Sequence, residues 1–214
     1  MMSMNSHNNK FIYLVRHGDI GLGHEKQYIS RSDLPLSDLG KQQAHLLKEL
    51  VSRVPLESIY CSDLRRAQQT AEIIGAAHQI QPVAVEELRE INMGDWEGKT
   101  FSEIKANYPK EFQKRGENIA AYSPPRGESF SDCRRRVIPV FESLTNQDEA
   151  VILIVGHAGV NRVILCHVLG IPLENLFRLE QSYGCINLIC KGISGCRLKY
   201  LNYITDCQRM DFIG

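Results

Sequence analysis

Two wholly apolar pentads, Phe11–Val15 (FIYLV) and Val151–Val155 (VILIV), each run directly into a histidine, and nothing else restricts this 214-residue chain as tightly. Short unbroken runs of β-branched, aromatic and aliphatic residues read as strands buried inside a sheet. Arg16-His17-Gly18 follows the first run and Gly156-His157-Ala158-Gly159 the second. Two buried strands therefore deliver a histidine each to the same edge of one sheet. In an open α/β sheet the carboxyl ends of the strands face the crevice where ligands bind. An arginine and a histidine are costly to bury there without partners, so an anion or a carboxylate belongs beside them. Taken alone, Arg16 also fits a simple ion pair and His17 a hydrogen-bonded core histidine.

The rest of the chain supplies the elements of one α/β domain, a size that buries a substantial core. A formal net charge of zero gives no bulk attraction to nucleic acid or to an anionic membrane, so attraction for an anion must be local to a pocket. The seven cysteines form no C-x-x-C pair. Cys61, Cys166, Cys185 and Cys190 sit in apolar patterns as free thiols, which fits a reducing, cytoplasmic setting. No run is long enough to span a membrane. Met1–Lys10 lacks the apolar core of a signal peptide and reads as a disordered tail, and Asp206–Gly214 as a C-terminal tail.

Between the two histidine strands, Asp19–Asp33 reads as a loop over the strand edge, with His24 and Lys26 as solvated cations. Ser37 is placed to cap a helix through Val51, with Ala44, Leu47, Leu50 and Val51 as its apolar stripe. Ser58–Ser62 is a second strand, Leu64–Ala77 a helix whose polar first turn lies near that strand's end, and Pro82–Val85 a third strand. Glycines and prolines cluster from Ile91 to about Ser131, with a capping-box spacing at Thr100 and Glu103, which suggests an insertion folding over the active edge, anchored by Trp96. A helix over Phe130–Thr145 turns Phe130, Cys133, Val137, Phe141 and Leu144 inward, and Pro139 should kink or split it. Arg134, Arg135 and Arg136 read as a solvated face. Ala158–Leu169 is a helix stopped by Gly170 and Pro172, with its first N–H groups pointing into the crevice, and Cys185–Cys190 with Arg197–Tyr203 form a terminal hairpin.

The stretches LVRHG at 14–18, PLSDLGKQQA at 35–44, SDLRRAQQTAEI at 62–73, LREINMGDWEG at 88–98, RGESF at 126–130 and VGHAGVNR at 155–162 resemble, in order, the histidine phosphatase superfamily, the phosphoglycerate-mutase-like enzymes. The resemblance implies a three-layer α/β/α sandwich with a mostly parallel central sheet, a single domain over 11–205, and a small helical insertion (about 91–131) over the active edge. It makes Arg66, which directly precedes an alanine, the catalytic arginine of the second helix, and Glu90 the proton donor. A family asparagine would fall at Gly23, which offers only its backbone N–H, and Asp19 stands where relatives commonly carry Glu.

The chemistry that follows is hydrolysis of a small-molecule phosphate monoester. Arg16 and Arg66 present guanidinium forks that match phosphate oxygens, with His157, Gly23 and Ala158 adding donors. His17 is the nucleophile that forms a phosphohistidine, and Gly18 leaves room beside its ring. Glu90 gives a proton to the leaving group and takes one from the attacking water. Arginines supply the positive charge, so neither a metal nor a cofactor is implied, and the partner is a small phosphate ester rather than nucleic acid or membrane. The motifs look most like the small bacterial-type phosphatases, including α-ribazole 5'-phosphate phosphatase. A cofactor-dependent phosphoglycerate mutase and an inactive member acting as a binding module are the alternatives. No oligomeric state follows from the sequence.

Overall fold

The strand that reads as most apolar is the most deeply placed: β4 (Val151–Gly156) is buried along its whole length. A computed structural model describes residues 9–23 and 25–204; the two tail segments, apart from Asn9 and Lys10, and His24 lie outside the described residues. The other strands are β1 (Lys10–Arg16), β2 (Ser58–Cys61), β3 (Val83–Ala84), β5 (Ile186–Gly192) and β6 (Gly195–Tyr203). They form one six-stranded sheet in the order β3-β2-β4-β1-β5-β6. β1, β2, β3 and β4 are mutually parallel, and β5 runs against both of its neighbours, so it alone opposes the common direction.

Alternation along β4 builds the layers. Val151, Leu153 and Val155 face one core, shared with Leu47 and Val51 of α1 (Asp38–Val51) and Ala67, Ala71 and Ile74 of α2 (Arg65–Gly75). Ile152 and Ile154 face the other, shared with α5 (Phe130–Thr145) and α6 (Ala158–Leu169). The arrangement is a mostly parallel three-layer α/β/α sandwich. Between β3 and α5, the short helices α3 (Phe101–Asn107) and α4 (Pro109–Glu117) form the insertion, and α3 starts with the capping box of Thr100 and Glu103. Trp96 is buried against Tyr28 and Tyr122, and a single bridge from Gln27 to Thr100 joins the insertion to the loop after β1.

Several local expectations change. Lys10 opens β1 instead of ending a tail. Phe11 and Tyr13 are only half-buried, and Leu50 is 39% exposed instead of belonging to the core. Tyr13 and Leu50 share an open apolar cleft with Tyr200 and Tyr203, because α1 does not extend over the β5–β6 hairpin. Pro139 does not split α5, which is continuous from Phe130 to Thr145; the proline sits on the exposed side. Gly18 leaves room for the backbone, since a Cβ there would strike the Gly40 carbonyl of α1. No helix among the described residues is long and apolar enough to cross a membrane.

Candidate active site

Parallel pairing of β1 with β4 sets Arg16 opposite Gly156, so His17 and His157 leave adjacent strands at the same level. Their rings meet edge-on with centroids 5.0 Å apart. His17 is 4% exposed and lines a cavity of about 190 Å³ at the strand ends; His157 is fully buried behind it. The His17 Nδ1 lies 2.7 Å from the Gly18 carbonyl, which can only accept, so Nδ1 carries the hydrogen and Nε2 keeps its lone pair. Neither ring nitrogen of His157 has a partner among the described residues, although both are buried. Such orphaned polar atoms call for a ligand group.

Burial holds both imidazoles well below their usual value of 6.5, and the charges of Arg16 and Arg66 push His17 further the same way. For His157 the charge of Arg66 adds to burial, followed by those of His17 and Arg16. Both rings are therefore neutral at neutral pH.

The two arginines named from sequence flank the pair. Arg16 donates from Nη1 to the Gln181 carbonyl at 2.6 Å and stacks over Tyr183, its Cζ 3.7 Å from the ring centroid. Arg66 is 1% exposed and donates from its two Nη atoms to the carbonyls of Ser32 and Ser30, each at 2.7 Å. The Nε of each arginine is buried without a partner. Arg65, by contrast, is exposed. Glu97 completes the support of Arg66: its carboxylate accepts from the N–H and hydroxyl groups of both Ser30 and Ser32. Burial works to raise the Glu97 carboxyl, but these bonds outweigh it and hold it below its usual value. The segment from Ser30 to Ser32 is thus pinned between a buried cation and a half-buried anion.

Glu90 is the only carboxylate among the described residues that line the cavity. Its oxygens accept from the backbone N–H groups of Ile91 (3.0 Å), Gly159 (3.1 Å) and Val160 (3.3 Å). Contrary to the sequence reading, the N–H groups of Gly159 and Val160 at the start of α6 are taken by Glu90 and are not free donors for an anion. A Cβ on Gly159 would come within 2.6 Å of the Glu90 Oε1, so any larger residue here would push that carboxylate aside. Ala158 lines the cavity, whereas Gly23 is exposed and is not part of its wall; Ile20 and Leu22 represent that loop instead. Asp19 is engaged in structure, accepting from Ser37 Oγ at 2.6 Å and from the Gly21 N–H at 2.8 Å.

Sequence reasoning missed three further arginines. Arg136 is not on a solvated face: it pairs with Glu128 at 2.8 Å and donates to the carbonyls of Glu87 and Arg89, the turn that carries Glu90. Its position three residues after the inward Cys133 was the available signal. Arg115 and Arg162 both line the cavity; Arg162 stands one helical turn after Ala158 and Gly159, a spacing that was available, whereas no spacing marks Arg115. Tyr183, stacked on Arg16, lies in a stretch with no motif.

The profile of the histidine phosphatase superfamily (branch 1) matches residues 12–204. The adenosylcobalamin/alpha-ribazole phosphatase of Escherichia coli (strain K12) is 28% identical over 89% of this chain and 95% of its own length. The 6-phosphofructo-2-kinase/fructose-2,6-bisphosphatase 1 of Mus musculus is 31% identical over 89% of this chain, which spans 40% of that longer protein. Among solved structures, a mycobacterial glucosyl-3-phosphoglycerate phosphatase superposes with a TM-score of 0.81 at 26% identity, covering 90% of this chain and 98% of that one. With a family profile spanning nearly all of the described fold and relatives matching over most of its length, this chain belongs to the histidine phosphatase superfamily.

Proposed function

We infer that the protein is a phosphatase that hydrolyses small-molecule phosphate monoesters through a phosphohistidine on His17. The observation that carries this reading is the His17 ring: neutral, oriented by its Nδ1–H bond to Gly18, and lining a cavity beside Arg16 and Arg66. A phosphate dianion entering that cavity exchanges water for guanidinium N–H groups and for the one N–H that a neutral His157 carries. With its charge offset, the His17 Nε2 attacks phosphorus in line. The P–O bond to the leaving group breaks as the N–P bond forms, and the departing alkoxide takes a proton from Glu90. Water then attacks phosphorus, Glu90 accepts its proton, and the N–P bond breaks to release inorganic phosphate and return His17 to its starting state.

Two roles belong to this proposal. Ala158 offers the helix-start N–H that Glu90 does not take, and Arg136 positions Glu90 by gripping the turn before it. The test is steady-state turnover of p-nitrophenyl phosphate together with a panel of natural monoesters. The panel includes α-ribazole 5'-phosphate, because the E. coli relative is named for it. The reading requires phosphate release that is lost in His17→Ala; release that survives this substitution removes His17 as the nucleophile.

A further inference from the structure

Arg16 reaches the cavity from the end of β1, and the contacts that hold its side chain come from one irregular segment, residues 180–185, just before β5. The Gln181 carbonyl accepts from its Nη1, and the Tyr183 ring stacks on its Cζ. Two backbone bonds join the same segment to the end of β1. The Arg16 N–H donates to the Cys185 carbonyl at 3.0 Å, and the Gly184 N–H donates to the His17 carbonyl at 3.1 Å. The placement of Arg16 therefore depends on what holds this segment still.

Three buried carboxamides hold it from behind, those of Gln181, Asn187 and Asn202. Gln181 and Asn187 of β5 form a reciprocal pair. Gln181 Nε2 donates to Asn187 Oδ1 at 2.9 Å, while Asn187 Nδ2 donates to Gln181 Oε1 at 3.0 Å and to the Leu14 carbonyl of β1 at 2.9 Å. Asn202 of β6 closes the arrangement: its N–H donates to Asn187 Oδ1 at 2.9 Å, and its own Oδ1 accepts from the Ser182 N–H at 2.7 Å. To make these bonds β6 departs from a regular strand. Its pairing with β5 shifts register between Ile186 and Leu188, and Asn202 takes a left-handed backbone with φ at 49°. After glycine, asparagine is among the residues that tolerate this conformation best, and bulges of this kind re-aim side chains beside functional sites. Burying three carboxamides costs desolvation that an apolar core would avoid, and the strained backbone adds to it; what a fully bonded network returns is rigidity.

We propose that Asn202, together with Gln181 and Asn187, is a positioning device for Arg16 that presets its guanidinium to receive the phosphoryl group, although none of the three lines the cavity. This goes beyond the phosphatase reading and rests on it only for the group that Arg16 meets. An arginine that swings freely loses rotamer freedom when it binds an oxyanion, whereas one already held at the Gln181 carbonyl has little left to lose.

The test is a double-mutant cycle on binding, read by titration calorimetry with orthovanadate standing in for the phosphoryl group. Asn202→Gly keeps the left-handed backbone accessible and removes the acceptor of the Ser182 N–H. It should weaken orthovanadate about fivefold in the otherwise intact enzyme but less than about twofold in Arg16→Ala, where the group that it serves is already gone. Asn202→Asp retains the acceptor and should stay within about twofold of the parent. Gln181→Met, taken through the same cycle, should repeat the result from the other side of the network, and thermal melts identify any variant that does not fold. Equal losses in the two backgrounds, no loss in a folded Asn202→Gly, or equal losses in Asn202→Gly and Asn202→Asp would each overturn the proposal. One reading needs no variant: in the ligand-free enzyme, nitrogen NMR should resolve the two Nη groups of Arg16, one of them held by Gln181, and signals averaged by free rotation would overturn it as well. Orthovanadate that binds Arg16→Ala as tightly as the parent takes Arg16 out of the oxyanion site and overturns the phosphatase reading on which the proposal rests.

Discussion

At the residue scale, the site is governed by what burial does to two imidazoles. A ring held neutral by desolvation and by neighbouring guanidinium groups keeps the lone pair that attack on phosphorus requires. The same shift has a consequence for stability. His17 and His157 titrate well below 6.5 in the folded chain, so between that value and their folded values the unfolded chain binds more protons. Their contribution is fully present above about pH 6.5 and falls away as pH drops through this window, by roughly 1 kcal/mol per pH unit for each histidine. Urea unfolding at pH 7, 6 and 5 should show this slope, and His157→Gln should make it shallower; an unaltered slope would mean that His157 is already charged when folded. Proton donation by Glu90 has its own signature. General acid catalysis contributes ~10²–10⁴-fold, so Glu90→Gln should cost about that much on alkyl phosphates. It should still give a burst of p-nitrophenol from the activated ester, whose departure needs no proton. A burst that vanishes along with steady turnover would remove Glu90 as the donor. The sequence named these residues, Arg16, His17 and His157 from the ends of apolar strands and Arg66 and Glu90 from the family resemblance, and the fold brings them together. It did not carry Arg115 or Tyr183, since a side chain reaching a cavity from a short insertion helix or an irregular segment leaves no periodic trace; Arg162 lies in a motif, one turn after Ala158, without having been singled out.

Elements act here through their ends and edges. The start of α6 is coupled to the turn after β3 by one carboxylate, with Glu90 accepting from Gly159 and Val160. Gly159→Ala would push a methyl group against that carboxylate, and the predicted result is a fall in kcat larger than any rise in KM, together with a lowered Tm. The opposing grip comes from α5, where Arg136 holds the carbonyls of Glu87 and Arg89. Replacing it by methionine takes from the half-buried Glu128 its main partner, leaving Arg31 and the Asn92 N–H, and frees the turn, so a loss of about 1.5–3 kcal/mol in stability is expected by urea titration. The loss in kcat should also be larger on alkyl phosphates than on p-nitrophenyl phosphate, whose leaving group needs no proton, an effect that a purely structural arginine would not produce. Helix positions and caps were legible because Ser37, Thr100 and Gly170 are local signals acting over one turn. The fate of Pro139 was not, because its place on the exposed side of a helix packed against α6 lets tertiary contacts override the local penalty.

For the whole molecule, one sheet carries two cores, and β4 contributes to both. Leu153→Ala should therefore cost about 2–5 kcal/mol, shifting the urea midpoint while leaving a single transition. Two separate transitions would show that the layers on either face unfold independently. That the central strands are covered on both faces could be inferred from their unbroken apolar runs, and the layers and strand direction from the family resemblance, whereas the open cleft beside Tyr13 and Leu50 depends on how far α1 reaches, which no residue in it encodes. The sheet serves function by register: Arg16 opposite Gly156 is what makes two distant histidines neighbours. The most direct measurement of that arrangement's purpose is to mix the protein with p-nitrophenyl phosphate, quench within the first turnovers in alkali, digest, and weigh the peptides. The account predicts one added phosphoryl group, stable to base and labile to acid, on His17 and absent from His17→Ala; a phosphoryl group found elsewhere, or turnover with His17 never modified, would contradict it.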